Sequence, residues 1–261
     1  MKSSFITIIL LNIATNSFAQ IKVESFEFFN AMKGKRIVVV DTAILHVGPS
    51  AGAAHTDTLF LGENINVLMP VPYFEQVNEL DVPWLKITYL KRGYTKVSYI
   101  LAHQVSLTNS IEIENKKWLI AIHPNKNQKE KTIQFLCIND KLIENISTIQ
   151  LPKDFTVDSI ELSIAEKNCL KNSSAMFNLQ LKSNKAEEGI FNKWIVVCEN
   201  QQLTQLPFIH NYFHQKHNAT IEEKMYFPNQ NSFKLSSKIL SRKSKEIVSK
   251  YTWQDCNYTI L

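Results

Sequence analysis

The chain has 261 residues, enough for one large or two small domains that each bury a core. With 44% hydrophobic and 20% charged residues it is not an intrinsically disordered chain. Its net charge of +5 is mildly basic, and no GxGxxG, phosphate loop or zinc-finger spacing accompanies it, so the charge reads as a lysine-bearing surface and not as a nucleic-acid site.

The first element is an address. In "MKSSFITIILLNIATNSFAQ" a basic Lys2 precedes an apolar run over residues 5–13, and Ser17 and Ala19 stand three and one before a cut after Ala19. This layout predicts a secretory signal peptide over 1–19, with an apolar run too short to span a bilayer. No cysteine follows that run, so no lipid anchor is expected, and the mature chain is placed in the periplasm or outside the cell, peripheral to a membrane at most. In that setting the four cysteines, Cys137, Cys169, Cys198 and Cys256, permit disulfides in any of three pairings; buried free thiols are the other reading.

Residues 20–35 form a short lead-in, and from Arg36 the texture becomes β. "IVVV" reads as a buried strand, Ile65, Val67 and Met69 as an alternating one, and "PWLKITYL" and "KVSYILAHQV" as two more. Between Leu45 and Leu59 lies a long connection of small residues, "HVGPSAGAAHTDT", bent at Gly48, Pro49 and Gly52. Pro70, Pro72 and Pro83 confine the segment they punctuate to loops or sheet edges, because proline cannot donate to a ladder. Tyr73 and Phe74 are therefore expected in a loop. A polar, charged stretch over 108–116 is expected to be a linker.

The second part, 117–261, also alternates with period two: Ile160, Leu162 and Ile164, then Phe177, Leu179 and Leu181, each face polar residues on the other side. "QFLCINDKLIENI", "WIVVCENQQLTQL" and "YTWQDCNYTIL" each place an Asn- or Asp-bearing turn between two strands, the mark of a tight hairpin. Their spacing of about sixty residues also fits degenerate blades. The fold class expected is all-β: a small barrel over 36–107, then a larger antiparallel β domain, sandwich or propeller-like.

With those strands in place, 36–107 resembles a bacterial SH3-type domain (SH3b). "LHV", "GPS", "LFLGENINVL", "WLKI" and "SYILAHQV" follow the family's order of motifs. His46 stands where the family usually has Asn, Gly48 where it has Arg, and Ser98 where it has Gly; "VPYFEQVNELDVP" lengthens one loop. The resemblance covers little more than a quarter of the chain. It implies an SH3-like barrel and a non-catalytic binding or adaptor role, toward cell-wall peptide, envelope polysaccharide or another envelope protein. The ligand-binding residues it suggests are Tyr73, Phe74, Trp84, Tyr99 and His46, aromatics having an apolar body and, in Tyr, Trp and His, a polar tip.

The remaining residues offer little catalytic chemistry. None of the cysteines has the helix N-terminus that lowers a thiol pKa, and no Gly-x-Ser-x-Gly elbow occurs. No cofactor is called for. "HNYFHQKH" brings His210, His214 and His217 close in sequence, a weak metal candidate lacking a HExxH glutamate. The alternative it leaves open is an envelope hydrolase with its active or metal site in the C-terminal domain. The basic run "FKLSSKILSRKSKEIVSK", with Lys234, Lys238 and Lys245, reads as a wetted sheet edge, or as a contact for anionic envelope polymers.

Overall fold

Strands account for 73% of the structure and helix for 2%, so period-two alternation sets nearly every element. The structure is a computed structural model, and it describes residues 29, 32–78, 80–122, 132–151, 157–165, 170–185, 188–214, 219–240 and 246–261. The expected signal peptide, Cys169, His217 and Lys245 lie outside the described residues.

The first sheet contains β1 (Gly34–Ile37), β2 (Thr42–His46), β3 (His55–Phe60), β4 (Asn64–Val77), β5 (Leu80–Lys91) and β6 (Tyr94–Leu101) in the order β1-β4-β5-β6-β2-β3. Val67 pairs with Ile87 and Leu85 with Ile100, and these buried residues form its inner face. The sheet curls into a half-barrel. Its free edge β3 is clasped to β5 and β6, which are not its neighbours in the order. The Asp57 carboxylate accepts hydrogen bonds from Lys91 Nζ at 3.0 Å and Tyr89 Oη at 3.3 Å, and Thr56 Oγ1 lies 2.9 Å from Ser98 Oγ. The Lys91 bond pulls the Asp57 carboxyl below its ordinary range, so the clasp holds a carboxylate at neutral pH.

Two expectations are corrected in this sheet. "IVVV" is not one strand, because β1 ends at Ile37 and Val38 forms an isolated bridge to Val105. Tyr73 and Phe74 are not in a loop either: β4 runs through them and pairs with β5 as far as Val77 opposite Leu80. β1 covers β4 only over Gly34–Ile37, opposite Asn64 to Val67, and β6 covers β5 only from Trp84 on. Residues 72–78 and 80–83 thus form a two-stranded arm extending beyond the sheet. Pro72 falls in an irregularity between Val71 and Phe74, where no ladder donor is required, which is how the strand tolerates it.

The second sheet, ordered β10-β9-β8-β7, holds β7 (Ile111–Ile113), β8 (Lys116–Ala121), β9 (Thr132–Asn139) and β10 (Leu142–Gln150). The stretch expected as a linker therefore contains a short strand and a turn at Glu114 and Asn115. Its central strands are apolar at consecutive positions because both of their faces are buried. Trp118, Ile120, Phe135 and Cys137 join the main core, which also takes residues from the first sheet and from Ala175 to Val197. Leu119, Ala121, Leu136 and Ile138 pack on Ile37, Val39 and Leu61. Trp118 stacks on Phe135 at 5.3 Å, and Phe177 closes the group at 5.1 Å from Phe135.

The third sheet is an eight-stranded antiparallel meander: β11 (Ser159–Ile164), β12 (Ser173–Lys182), β13 (Ile190–Cys198), β14 (Leu203–His214), β15 (Ala219–Asn229), β16 (Ser232–Leu240), β17 (Glu246–Gln254) and β18 (Asn257–Ile260). β14 serves both halves: up to Asn211 it pairs with β13, and only Tyr212 to His214 pair with β15. Beyond that seam the later strands return, so that Phe233 and Trp253 pack with Met176, Val196 and Leu206. A Cys198–Cys256 disulfide, with Cα atoms 6.2 Å apart, joins the two halves, and Trp253 Nε1 donates to the Lys171 carbonyl at 2.9 Å. The hairpins expected from the Asn/Asp turns form here and in the second sheet. Asp140, Lys141, Gln201, Asp255 and Cys256 all have positive φ, the backbone that tight hairpin turns need.

Candidate binding site

Residues paired across strands share a face. His46 pairs with Tyr99, Tyr99 with Lys86 and Lys86 with Met69, a row across β2, β6, β5 and β4 on the outer face of the half-barrel. A register shift between Val67 and Met69 turns Met69 outward, which alternation alone does not indicate. Trp84, two residues from Lys86 along β5, lies between Val71 and Leu101.

Three rings meet there. The His46 ring is 5.1 Å from Trp84 and 4.8 Å from His55, both edge to face. His46 is 7% exposed and Trp84 1%, whereas His55 is exposed. The small-residue connection, residues 47–54, is a folded cap joining β2 to β3. Val47 N–H donates to the Ala54 carbonyl at 3.0 Å, and Ala53 N–H to the Ser50 carbonyl at 3.0 Å. His46 Nδ1 is 3.0 Å from the Ala53 carbonyl, and since a carbonyl only accepts, Nδ1 is the donor. The Trp84 Nε1–H is buried with no hydrogen-bond partner.

Tyr73 and Phe74 project from the adjoining arm, 58% and 49% exposed. Phe74 pairs with Pro83, the residue before Trp84, and Glu75 ties the arm to the cap by accepting the Ala51 N–H at 2.9 Å. Of the five residues expected to bind ligand, the structure thus brings His46 and Trp84 into contact, sets Tyr99 beside His46 on the same face, and holds Tyr73 and Phe74 along the arm. Sequence reasoning missed Glu75, Met69 and Lys86. Only the register of β4, β5 and β6 places them at this site.

The histidine motif is different. His210 lies between Phe191 at 3.6 Å and Tyr212 at 4.1 Å, both rings stacked on it. Its Nε2 is 2.6 Å from the Glu188 carbonyl and therefore donates, leaving no lone pair on that nitrogen for a metal. Burial lowers the His210 pKa from its ordinary 6.5. His214 follows on β14, its side chain outside the described residues like all of His217. Among the described residues no group of three or more His, Cys, Asp and Glu is gathered to hold a metal ion. Burial pushes the Cys137 thiol up to about 11, so it is protonated at neutral pH, and Cys198 and Cys256 are bonded to each other.

No family model, curated protein or solved structure matches the chain. Among the described residues no helix is long and apolar enough to cross a membrane.

Proposed function

We propose that this is a non-catalytic binding or adaptor protein of the cell envelope, and that its first sheet is an SH3-like module recognising envelope peptide, glycan or a partner protein. The observation that carries the reading is the exposure of Tyr73 and Phe74 on an arm fixed to the cap over His46 and Trp84. Two large aromatic side chains held on a strand offer apolar area to a ligand at little cost in lost rotamer freedom. The curl of the sheet and the Leu61-Gly62-Glu63 turn support the SH3-like assignment. Gly62 has φ +83°, and the Glu63 carboxylate accepts the Phe60 N–H at 2.9 Å. The buried disulfide accords with an oxidising compartment.

The test is co-sedimentation of the full chain with peptidoglycan sacculi and with insoluble envelope polysaccharide, followed by calorimetry with soluble stem peptides and glycan fragments. The Tyr73→Ser/Phe74→Ser variant should bind at least about tenfold more weakly with its melting temperature unchanged, the loss expected for two aromatic contacts. Absence of wild-type binding to all of these probes, or stem-peptide binding that the variant retains, would reject the reading.

A further inference from the structure

The face of the third sheet turned away from the Trp118–Phe177 core changes character along its length. At one end Met176 pairs with Val196, and both are covered by Phe233 and Trp253. Toward the other end the paired positions are polar: Asn178 opposite Ser163 and Trp194, and Gln180 opposite Glu161 and Asn192. Trp194 stands at the junction, its ring 5.9 Å from Phe227 of β15. Asn178, Gln180, Asn192, Trp194 and Phe227 are all half-buried, so this junction is not a sealed core.

The hydrogen bonding there is incomplete in a specific way. Asn192 Oδ1 accepts from Gln180 Nε2 at 3.1 Å and from Asn178 Nδ2 at 3.4 Å. That leaves Asn178 Oδ1, a buried acceptor, and Trp194 Nε1–H, a buried donor, both without a partner. They belong to directly opposed residues, whose Cβ atoms in such a pair are about 5 Å apart. Folded proteins rarely leave even one such group unpaired. A hydroxyl, of a ligand or of a water, answers both, because it donates to Asn178 Oδ1 and accepts from Trp194 N–H at once. A carboxylate can only accept and an ammonium can only donate. Glu161, opposite Gln180, already pairs with Lys182 at 3.7 Å, so that carboxylate is not left to recruit a cation.

We propose that the Asn178–Trp194 junction binds a neutral polyhydroxylated ligand, a glycan. One sugar hydroxyl bridges Asn178 Oδ1 and Trp194 Nε1, the Gln180 and Asn192 amides meet its neighbours, and the indole and Phe227 line the apolar side of the ring. The site uses none of the residues of the first-sheet reading, so the two succeed or fail independently.

The experiment is calorimetry of the full chain with tetrasaccharides of β-1,4-linked N-acetylglucosamine, glucose, xylose and mannose. It is paired with the indole N–H resonances of the same protein, the four tryptophans assigned by single Trp→Phe substitution. At least one tetrasaccharide should bind saturably and move the Trp194 resonance. Asn178→Ala and Trp194→Phe should each weaken binding about fivefold, the worth of one neutral hydrogen bond. The double variant should lose little more than either single one, because both groups meet the same hydroxyl. No binding up to about 10 mM, the weak limit for a specific site, would overturn the proposal and leave a bound water as the bridging group. Binding that leaves the Trp194 resonance in place would overturn it too, and this readout needs no variant to fold. The Tyr73→Ser/Phe74→Ser protein should bind these sugars as the wild type does.

Discussion

Replacing Cys198 and Cys256 together by alanine tests how the third sheet is held closed. The bond links positions 58 residues apart, and both sulfurs lie in the cluster of Met176, Val196, Phe233 and Trp253. Opening a covalent loop of that length restores denatured-state entropy worth about 4 kcal/mol in the chain-entropy account. The noncovalent seam is short, since only Tyr212, Phe213 and His214 pair with β15. Nothing in it compensates for the lost constraint. For a chain of this size each kcal/mol moves the melting temperature by roughly 2–4 °C, so the double variant should melt roughly 8–16 °C lower. Differential scanning calorimetry reads this directly, with dithiothreitol-treated wild type as the matching control. A drop under about 3 °C in both samples would refute the reasoning. It would mean that the denatured chain is already compact across these residues or that the pair is not bonded.

Three further outcomes follow from single side chains. Gly189→Ala should destabilise the protein by more than about 3 kcal/mol in urea unfolding, because φ is +64° there and an added Cβ would meet the Asn211 carbonyl oxygen at 2.0 Å; a change within error would contradict the β13–β14 register. Lys193 lies with Nζ 4.2 Å above the Phe208 ring, and burial lowers its pKa from 10.5 to about 8. A depressed lysine pKa means the folded chain prefers the neutral amine, so the penalty is complete below about 8 and fades as pH rises toward 10.5. Lys193→Met should therefore raise the melting temperature at neutral pH and lose that advantage near pH 10.5, whereas a lower melting temperature at neutral pH would mean that the cation–ring contact outweighs desolvation. Cys137, with its thiol held near 11, should resist iodoacetamide in the native protein at about pH 8 and react on unfolding, as site-resolved mass spectrometry would show. Rapid native alkylation would place it outside the buried face of β9.

Local chemistry made the class of fold legible, and distant pairing decided the rest. The turns at Asp140-Lys141 and Asp255-Cys256 were readable because Asn and Asp signal left-handed backbone within a few residues. The prolines correctly marked an edge, but an edge and a loop look alike in sequence, so the strand through Tyr73 and Phe74 was not visible. Apolar residues at consecutive positions in β8 and β9 report burial on both faces without saying what covers each. His46 and Trp84 were readable as candidates one at a time. Their contact depends on the register of β2, β6 and β5, and Met69 joins their face only through an irregularity in β4. The choice of Cys256 as the partner of Cys198 likewise follows from the return of β17 and β18 over β13, a contact between residues 58 positions apart.

The disulfide also has a mechanical consequence. Tension applied between the two ends of the chain passes through the sulfur atoms, from Cys198 directly to Cys256, and bypasses the strands between them. That separation of 58 positions would otherwise add roughly 200 Å of contour on extension. While the bond is intact that length is withheld, so β14 to β17 lie outside the covalent load path, and β18, beyond Cys256, lies on it. Reduction turns the same segment into a slack reserve, released in a single step of about that length.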